Sequence, residues 1–209
     1  MPARLLPLFP LQVVVFPRTQ LPLHIFEERY KRMVGEAIRE QSEFGIVLAK
    51  EDGIVNAGCT VTVDKVLKTY ADGRMDIITR GRRRFEVLSL DQDEEYLRGE
   101  VDFFDDDEPG PGPAELQRET LLQYKALMEI GEGRSFGEPD FADPQLSFQL
   151  AQAVADLDFQ SVLLRNRSEL ERLKALRDFL TGYIPRRRQV NRMKRLAPLN
   201  GCGGRPSGA

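Results

Sequence analysis

The spacing of apolar positions changes period once along this chain. Through the first hundred residues it is short or twofold. Leu11–Phe16 is a β-branched run between prolines, and Phe44–Ala49 is a second apolar run of strand length. Cys59, Val61 and Val63 alternate with Thr60, Thr62 and Asp64, as on a half-buried strand. The alternation breaks at Lys65-Val66, where a bulge is expected. Asp72-Gly73 supplies the positive backbone angle that a tight hairpin needs. Met75–Arg80, Phe85–Leu90 and Leu97–Phe104 complete the set. In the last, Leu97, Val101 and Phe103 share one face while Arg98, Glu100 and Asp102 share the other. A single helix is expected among these strands, from Glu27 to Glu40, with Phe26, Tyr30, Met33, Val34 and Ala37 along one side. Short strands at regular spacing predict a closed or nearly closed β-barrel, with the helix plugging or flanking one end.

Asp105-Asp106-Asp107-Glu108 and Pro109-Gly110-Pro111-Gly112-Pro113 then mark a boundary. Like charges repel and prolines withhold ladder donors, so residues 105–113 are expected to be a linker. Beyond it the period becomes 3.6. Ala114–Ile130 predicts a long helix. Leu146, Leu150, Ala153, Val154 and Leu157 form one stripe on a second, and Phe159–Leu164 predicts a short third. In Ser168–Tyr183, Ser168 and Glu171 have the spacing of a capping box, and Leu170, Leu173, Leu176, Leu180 and Ile184 lie within one apolar face. Gly182 and Pro185 are expected to stop that helix. The expected division is a β subdomain over 1–104, a linker over 105–113, a helical subdomain over 114–185 and a basic, largely disordered tail over 186–209.

Charge sharpens this picture. The chain's formal net charge is -3, but seven basic and no acidic residues follow Asp178, which leaves the preceding residues at a net -10. An acidic body suits nucleic acid poorly. The basic segment, with Arg186, Arg187, Arg188, Arg192, Lys194 and Arg195, is the one patch placed to meet phosphates, yet it lacks interleaved aromatics and reads equally as a solvated helix end. Cys59 and Cys202 suggest no disulfide framework. No apolar run approaches the roughly 20 residues of a membrane span, and Leu5–Phe16 is interrupted by prolines as a secretion signal is not. A cytoplasmic location is expected.

The catalytic signatures are missing. Gly131–Gly137 is glycine-rich without the Lys-Ser/Thr ending of a phosphate-binding loop, and no Gly-x-Ser-x-Gly elbow appears. His24 is the only histidine, beside Leu23 and Ile25, which suits a packed or rim histidine better than a triad or metal site. Asp91 with Asp93 is a carboxylate pair of the kind that chance supplies in an acid-rich chain. No cofactor or metal is expected.

Leu6-Pro7-Leu8-Phe9-Pro10-Leu11, Val13-Val14-Val15-Phe16-Pro17 and Leu21-Pro22-Leu23-His24-Ile25-Phe26-Glu27-x-Arg29-Tyr30 closely resemble the opening of Lon protease amino-terminal domains, in the spelling of stand-alone members. Gly58-Cys59-Thr60-Val61, Asp72-Gly73, Gly81-x-x-Arg84-Phe85, Phe159-Gln160-x-x-Leu163-Leu164 and Glu171-Arg172-Leu173 resemble later family blocks in order, so that the resemblance covers about residues 5–184. It implies an α+β fold: a mostly antiparallel six-stranded pseudo-barrel of PUA type with a short helix, followed by a helical bundle. It further implies a non-catalytic module that binds unfolded or partly folded polypeptides, as an adaptor or chaperone-like holder working with a protease or chaperone, without the ATPase and Ser-Lys peptidase modules of full-length Lon. The alternative is an RNA-binding protein using the PUA-like shell and the basic tail. Phe103, Phe104, Phe136, Phe141 and Phe148 are the candidate peptide contacts where they are exposed; where buried, they seal the junction of the two halves.

Overall fold

The computed structural model describes residues 5–91, 93, 95–131 and 138–196, with the backbone alone for 194–196. In chain order the elements are β1 (Leu6–Leu11), β2 (Gln20–Ile25), α1 (Glu28–Glu40), β3 (Phe44–Lys50), β4 (Gly53–Thr69), β5 (Met75–Asp91), β6 (Arg98–Phe104), α2 (Ala114–Glu129), α3 (Leu146–Ala151), α4 (Leu157–Arg165) and α5 (Glu169–Leu196). The six strands form one mixed sheet in the order β2-β5-β4-β3-β1-β6. Every pairing is antiparallel except β1 with β3, where Leu8 lies opposite Gly45. β5 carries β2 along its first half and β6 along its second, and β6 also meets β1. The pairings therefore close a circuit through β5, β4, β3, β1 and β6. The class is α+β, as expected, and the sheet is largely antiparallel.

Strand alternation sorts the apolar residues onto two sides. Leu8, Val47 and Phe85 pack together inside the circuit. Phe85 fits because a Cβ on Gly45 or Gly58 would come within 2.6 Å and 2.5 Å of its ring. Phe9, Phe44, Ile46, Cys59, Val61 and Ile77 point the other way, into a larger core shared with α1 and with Phe148, Leu176 and Leu180 of the helical half. Phe16 stacks on Phe148 at 5.1 Å, so one continuous core joins sheet and helices.

Several expected boundaries move. The strand expected over Leu11–Phe16 falls instead at Leu6–Leu11, because Pro7 and Pro10 each withhold one donor yet keep extended angles. Residues 14–16 are buried without pairing, and the chain turns at Phe16–Thr19, where Thr19 Oγ1 donates to the Phe16 carbonyl at 2.7 Å and Arg18 adopts φ 64°. β2 was not expected, since Pro22 interrupts it. The proline is tolerated at an exposed position on a strand that pairs on one side only. Met75–Arg80 and Phe85–Leu90 are one strand, and the bulge expected at Lys65 appears as a register shift between Val63 and Lys65. Phe26, expected on the inner side of α1, is exposed.

The Leu146–Leu157 stripe does not form one helix. α3 ends at Ala151, and the carbonyls of Ala151 and Val154 freed by the break accept from Gln160 Nε2, each at 2.9 Å. Asp156 caps α4 by accepting from the Phe159 N–H at 2.9 Å. The expected capping box is half formed. The Glu171 N–H reaches Ser168 Oγ at 3.4 Å, but the Ser168 N–H donates to Asn166 Oδ1 at 2.8 Å. α5 does not stop at Pro185, and residues expected in a disordered tail continue it to Leu196. A proline removes one intrahelical donor, but it does not prevent the Arg- and Gln-rich run beyond it from keeping helical angles.

Candidate functional site

The junction of sheet and helices is built on charge. Arg84, in the middle of β5, and Arg172, on the first turn of α5, are both buried, and the carboxylate of Asp106 lies between them. Asp106 accepts from Arg84 Nη2 at 2.6 Å, from Arg172 Nη1 and Nη2 at 2.6 and 2.7 Å, and from Gln145 Nε2 at 2.8 Å. Arg84 Nη1 also donates to the carbonyls of Leu164 and Asn166, at 3.1 and 2.7 Å. Glu169 completes the set by accepting from Arg172 Nη2 at 2.8 Å and from Ser147 Oγ at 2.6 Å. The acidic run expected to be a repelling linker is thus a clamp, because the guanidinium groups that neutralise its central carboxylate arrive from strands and helices distant in sequence. Burial by itself raises the Asp106 pKa. The hydrogen bonds from Arg172 and Gln145 and the two positive charges outweigh that effect and lower it to about 2. Glu169 goes the other way, since burial outweighs its bonds to Ser147 and Arg172 and raises its pKa.

Above this clamp lies a cavity of about 410 Å³, walled by Pro17, Arg18 and Arg82 from the sheet side, Asp105, Pro109 and Gly110 from the connecting segment, and Pro144 and Gln145 before α3. Arg18 spans the seam, with Nη2 donating to Gln145 Oε1 at 2.7 Å and Nη1 lying 3.2 Å from Asp143. On the other side of Arg18 a second hollow of about 170 Å³ is lined by Thr19, Gln20, Arg80, Glu138, Asp140 and Gln152. The two hollows share Arg18 and lie along the sheet–helix seam, a groove that the bonded Arg18 side chain crosses, with side chains of both charges and several amides. A separate hollow of about 310 Å³, between α1 and the start of β6, has none of these residues; Tyr96 donates to Glu36 across it at 2.9 Å.

The candidate aromatics divide. Phe104 and Phe148 are 7% and 0% exposed and serve as platforms for the clamp: the Arg84 guanidinium carbon lies 4.7 Å from the Phe104 ring centre, and that of Arg172 lies 4.1 Å from that of Phe148. Both are buried, the case in which such an aromatic is expected to seal the junction of the two halves. Phe103 and Phe141 are 40% and 52% exposed. Phe103 lies beside the Arg83 guanidinium, and Phe141 meets Tyr124 edge-on in the segment that walls the groove. Phe136 lies outside the described residues. Arg18, Arg82, Asp106 and Gln145, which build the groove, were not anticipated. Arg84 ends the run Arg82-Arg83-Arg84, and its charge alone did not disclose that it would be the buried one of the three.

His24 Nδ1 lies 2.6 Å from Asp76 Oδ1, and Tyr70 donates to the same carboxylate at 2.7 Å. Among the described residues no hydroxyl or thiol bonds the histidine's other nitrogen, so no triad forms. The Asp93 backbone N–H donates to Asp91 at 2.9 Å and, with Arg98, lowers the Asp91 pKa, the wrong direction for a proton donor near neutrality. Among the described residues no three His, Cys, Asp or Glu side chains are grouped to hold a metal, and no helix is long and apolar enough to cross a membrane. Arg186, Arg187, Arg188 and Arg192 lie on the last turns of α5; the side chains of Lys194 and Arg195 are outside the description.

A family model described as the substrate-binding domain of ATP-dependent protease La (Lon) matches residues 5–188. The chain is 29% identical to the Lon protease of Parabacteroides distasonis over 121 residues, covering 54% of this chain and 15% of that protein. It is 26% identical to Lon protease 2 of Syntrophobacter fumaroxidans over 194 residues, covering 88% and 24%. The chain thus spans less than a quarter of these relatives. Among solved structures, a Lon N-terminal domain protein from Xanthomonas campestris superposes with a TM-score of 0.67 at 24% identity, covering 83% of this chain and 97% of that one. The N-terminal domain of a Mycobacterium avium complex Lon protease gives 0.61 at 17%, covering 86% and 100%. At these identities the structural likeness establishes the fold.

Proposed function

Because the chain belongs to the family of Lon substrate-binding domains, we propose that it is a non-catalytic polypeptide-binding module that holds extended segments of unfolded or partly folded proteins in the groove along the sheet–helix seam. The observation that carries this reading is the pair of hollows sharing Arg18. An extended strand rises about 3.3 Å per residue, so a few peptide residues suffice to run through both. Gln20, Gln145 and Gln152 offer amide groups to the peptide backbone, and Arg18, Arg82, Asp105 and Glu138 offer charges of both signs. Phe141, exposed between Asp140 and Pro144, which line the two hollows, supplies aromatic surface beside them. Such a groove favours weak, tolerant binding, because an unfolded segment loses chain entropy when it docks. That behaviour suits an adaptor or a chaperone-like holder that passes clients to a protease or chaperone.

The test is a fluorescence-anisotropy titration with a labelled, reduced and carboxymethylated polypeptide. Saturable binding in the micromolar range is expected, weakened at least about fivefold in Phe141→Ser, a position that lies at the surface. No anisotropy change by 200 µM protein (about the weak limit for such modules), or identical titrations for the two proteins, overturns the reading.

A further inference from the structure

The charges along the groove are not equally available. Four arginines line its two hollows, and each already has a carboxylate within the fold. Arg18 lies 3.2 Å from Asp143, Arg80 and Arg82 lie 2.6 and 3.6 Å from Asp64, and Arg84 lies 2.6 Å from Asp106. Four carboxylates line the same hollows, Asp105 and Asp106 in the larger and Glu138 and Asp140 in the smaller. Of these, Asp106 alone has a cation at ion-pair distance among the described residues. Asp105, Glu138 and Asp140 are exposed and have none. The field of each arginine is therefore cancelled within a few ångströms, whereas three negative charges face open space. One stands in the hollow on one side of the Arg18 crossbar, and two stand on the other side.

The aromatic surface at the same place has the same bias. Phe141 follows Asp140 directly and is exposed. Its ring meets Tyr124 edge-on at 6.4 Å, and no described cation lies over it. Phe103, by contrast, already carries the Arg83 guanidinium 3.9 Å from its ring centre. The face of an aromatic ring attracts a cation, and a carboxylate on the adjoining residue adds to that attraction.

Resting on the reading of the seam as a polypeptide groove, we propose that its preferred occupants are extended segments that carry lysine or arginine side chains. One basic side chain enters the larger hollow toward Asp105. Another enters the smaller hollow toward Glu138, Asp140 and the Phe141 ring. Acidic segments are disfavoured for the converse reason: their carboxylates meet like charges, and the arginines that could answer them are engaged. Selectivity of this kind comes as much from the partner repelled as from the partner attracted.

The experiment is an anisotropy titration of the full chain with three labelled peptides of equal length and equal apolar content, whose variable positions are all Lys, all Gln or all Glu. It is run at about 50 and about 500 mM salt, on either side of the ionic strength at which the screening length is about 8 Å. At low salt the Lys peptide is expected to bind at least about tenfold tighter than the Gln peptide, and the Glu peptide more weakly than either. At high salt the three converge to within about threefold. In the variant Asp105→Asn, Glu138→Gln, Asp140→Asn the Lys-to-Gln ratio falls to about twofold or less. The amides keep the shape of these exposed side chains, position 140 can still accept the Ala142 N–H, and thermal unfolding checks the fold. The variant Glu51→Gln, Asp52→Asn, Glu100→Gln removes the same number of exposed charges from positions that line neither hollow, and there the ratio is kept. A Lys peptide that binds no tighter than the Gln peptide overturns the proposal and leaves the groove as a peptide site. So does a ratio that survives the groove variant, or one that the charge-matched variant removes as fully. Failure of all three peptides to bind overturns the underlying reading as well, so the two failures are told apart.

Discussion

Asp106→Asn is the sharpest probe of the junction. The substitution keeps the side chain's size and removes its charge, leaving the buried guanidinium groups of Arg84 and Arg172 with one neutral oxygen and an amide that can only donate. Removing one partner from a buried ion pair costs about 3–5 kcal/mol, because the remaining charge stays desolvated. For a protein of this size about 3 kcal/mol corresponds to a fall of roughly 10 °C in Tm, read by thermal unfolding at 222 nm. Coupling is the decisive measurement. Arg172→Met removes a positive charge and is itself destabilising, but in the double variant Asp106 is no longer there to be stranded. The two costs are therefore expected to fall short of additivity by about 2 kcal/mol. The sign with pH follows from the lowered Asp106 pKa. Its folded value of about 2 lies below the ordinary 3.8, so its contribution is complete above pH 3.8 and is lost as pH falls through about 2. The native protein is expected to lose stability steeply between about pH 4 and 2, and the Asn variant less steeply. A variant melting within about 2 °C of the native protein, or two single costs that simply add, refutes the reasoning.

The other predictions rest on separate observations. Because the pKa of buried Glu169 is raised, its contribution is present below the usual carboxylate range and is lost as pH rises through its folded value; Glu169→Gln should therefore cost less at neutral pH than Asp106→Asn in the same denaturant titration. Phe148→Ala should cost about 3–5 kcal/mol by urea unfolding, and Phe103→Ala about 1 kcal/mol or less, since the first empties a sealed site and the second trims a half-open one. Gly81→Ala should destabilise by at least about 2 kcal/mol, because its Cβ would fall 2.0 Å from the Phe16 carbonyl oxygen, whereas Gly35→Ala, with open space in α1, should stabilise by up to about 1 kcal/mol. Burial raises the Cys59 thiol pKa to about 12, so in a Cys202→Ser background iodoacetamide should label the native protein hardly at all and the unfolded protein fully, measured by mass spectrometry.

Much of the fold was legible because local rules and tertiary packing agree there. The Tyr30, Met33, Val34 and Ala37 face and the Asp72-Gly73 hairpin each follow from one period or one turn residue, whereas Thr60, expected on an open face, is buried at a register shift between Cys59 and Val61. The misread positions are those whose partners are distant in sequence. Gly81–Arg84 looked like a gap between strands, yet it pairs with β4 near Val61 and Cys59. Leu146–Leu157 looked like one helix until Gln160, on the next element, satisfied the carbonyls of a break. Phe104 and Phe148 looked like contact candidates because aromatic character does not disclose which face is covered.

The sequence by itself determined the class of most segments, the change from sheet to helix near residue 105 and the family, because apolar period, turn residues and the proline-aromatic opening are local properties of the chain. Tertiary structure alone decided what the charges do. The carboxylate of Asp106, one of four consecutive acids, is buried between two arginines 22 and 66 residues away, while its neighbour Asp105 is exposed. A side chain's charge is written in the sequence. Whether it is neutralised, buried or free to meet a partner depends on which distant groups folding brings within a few ångströms, since electrostatic interaction falls with distance and strengthens as water is excluded.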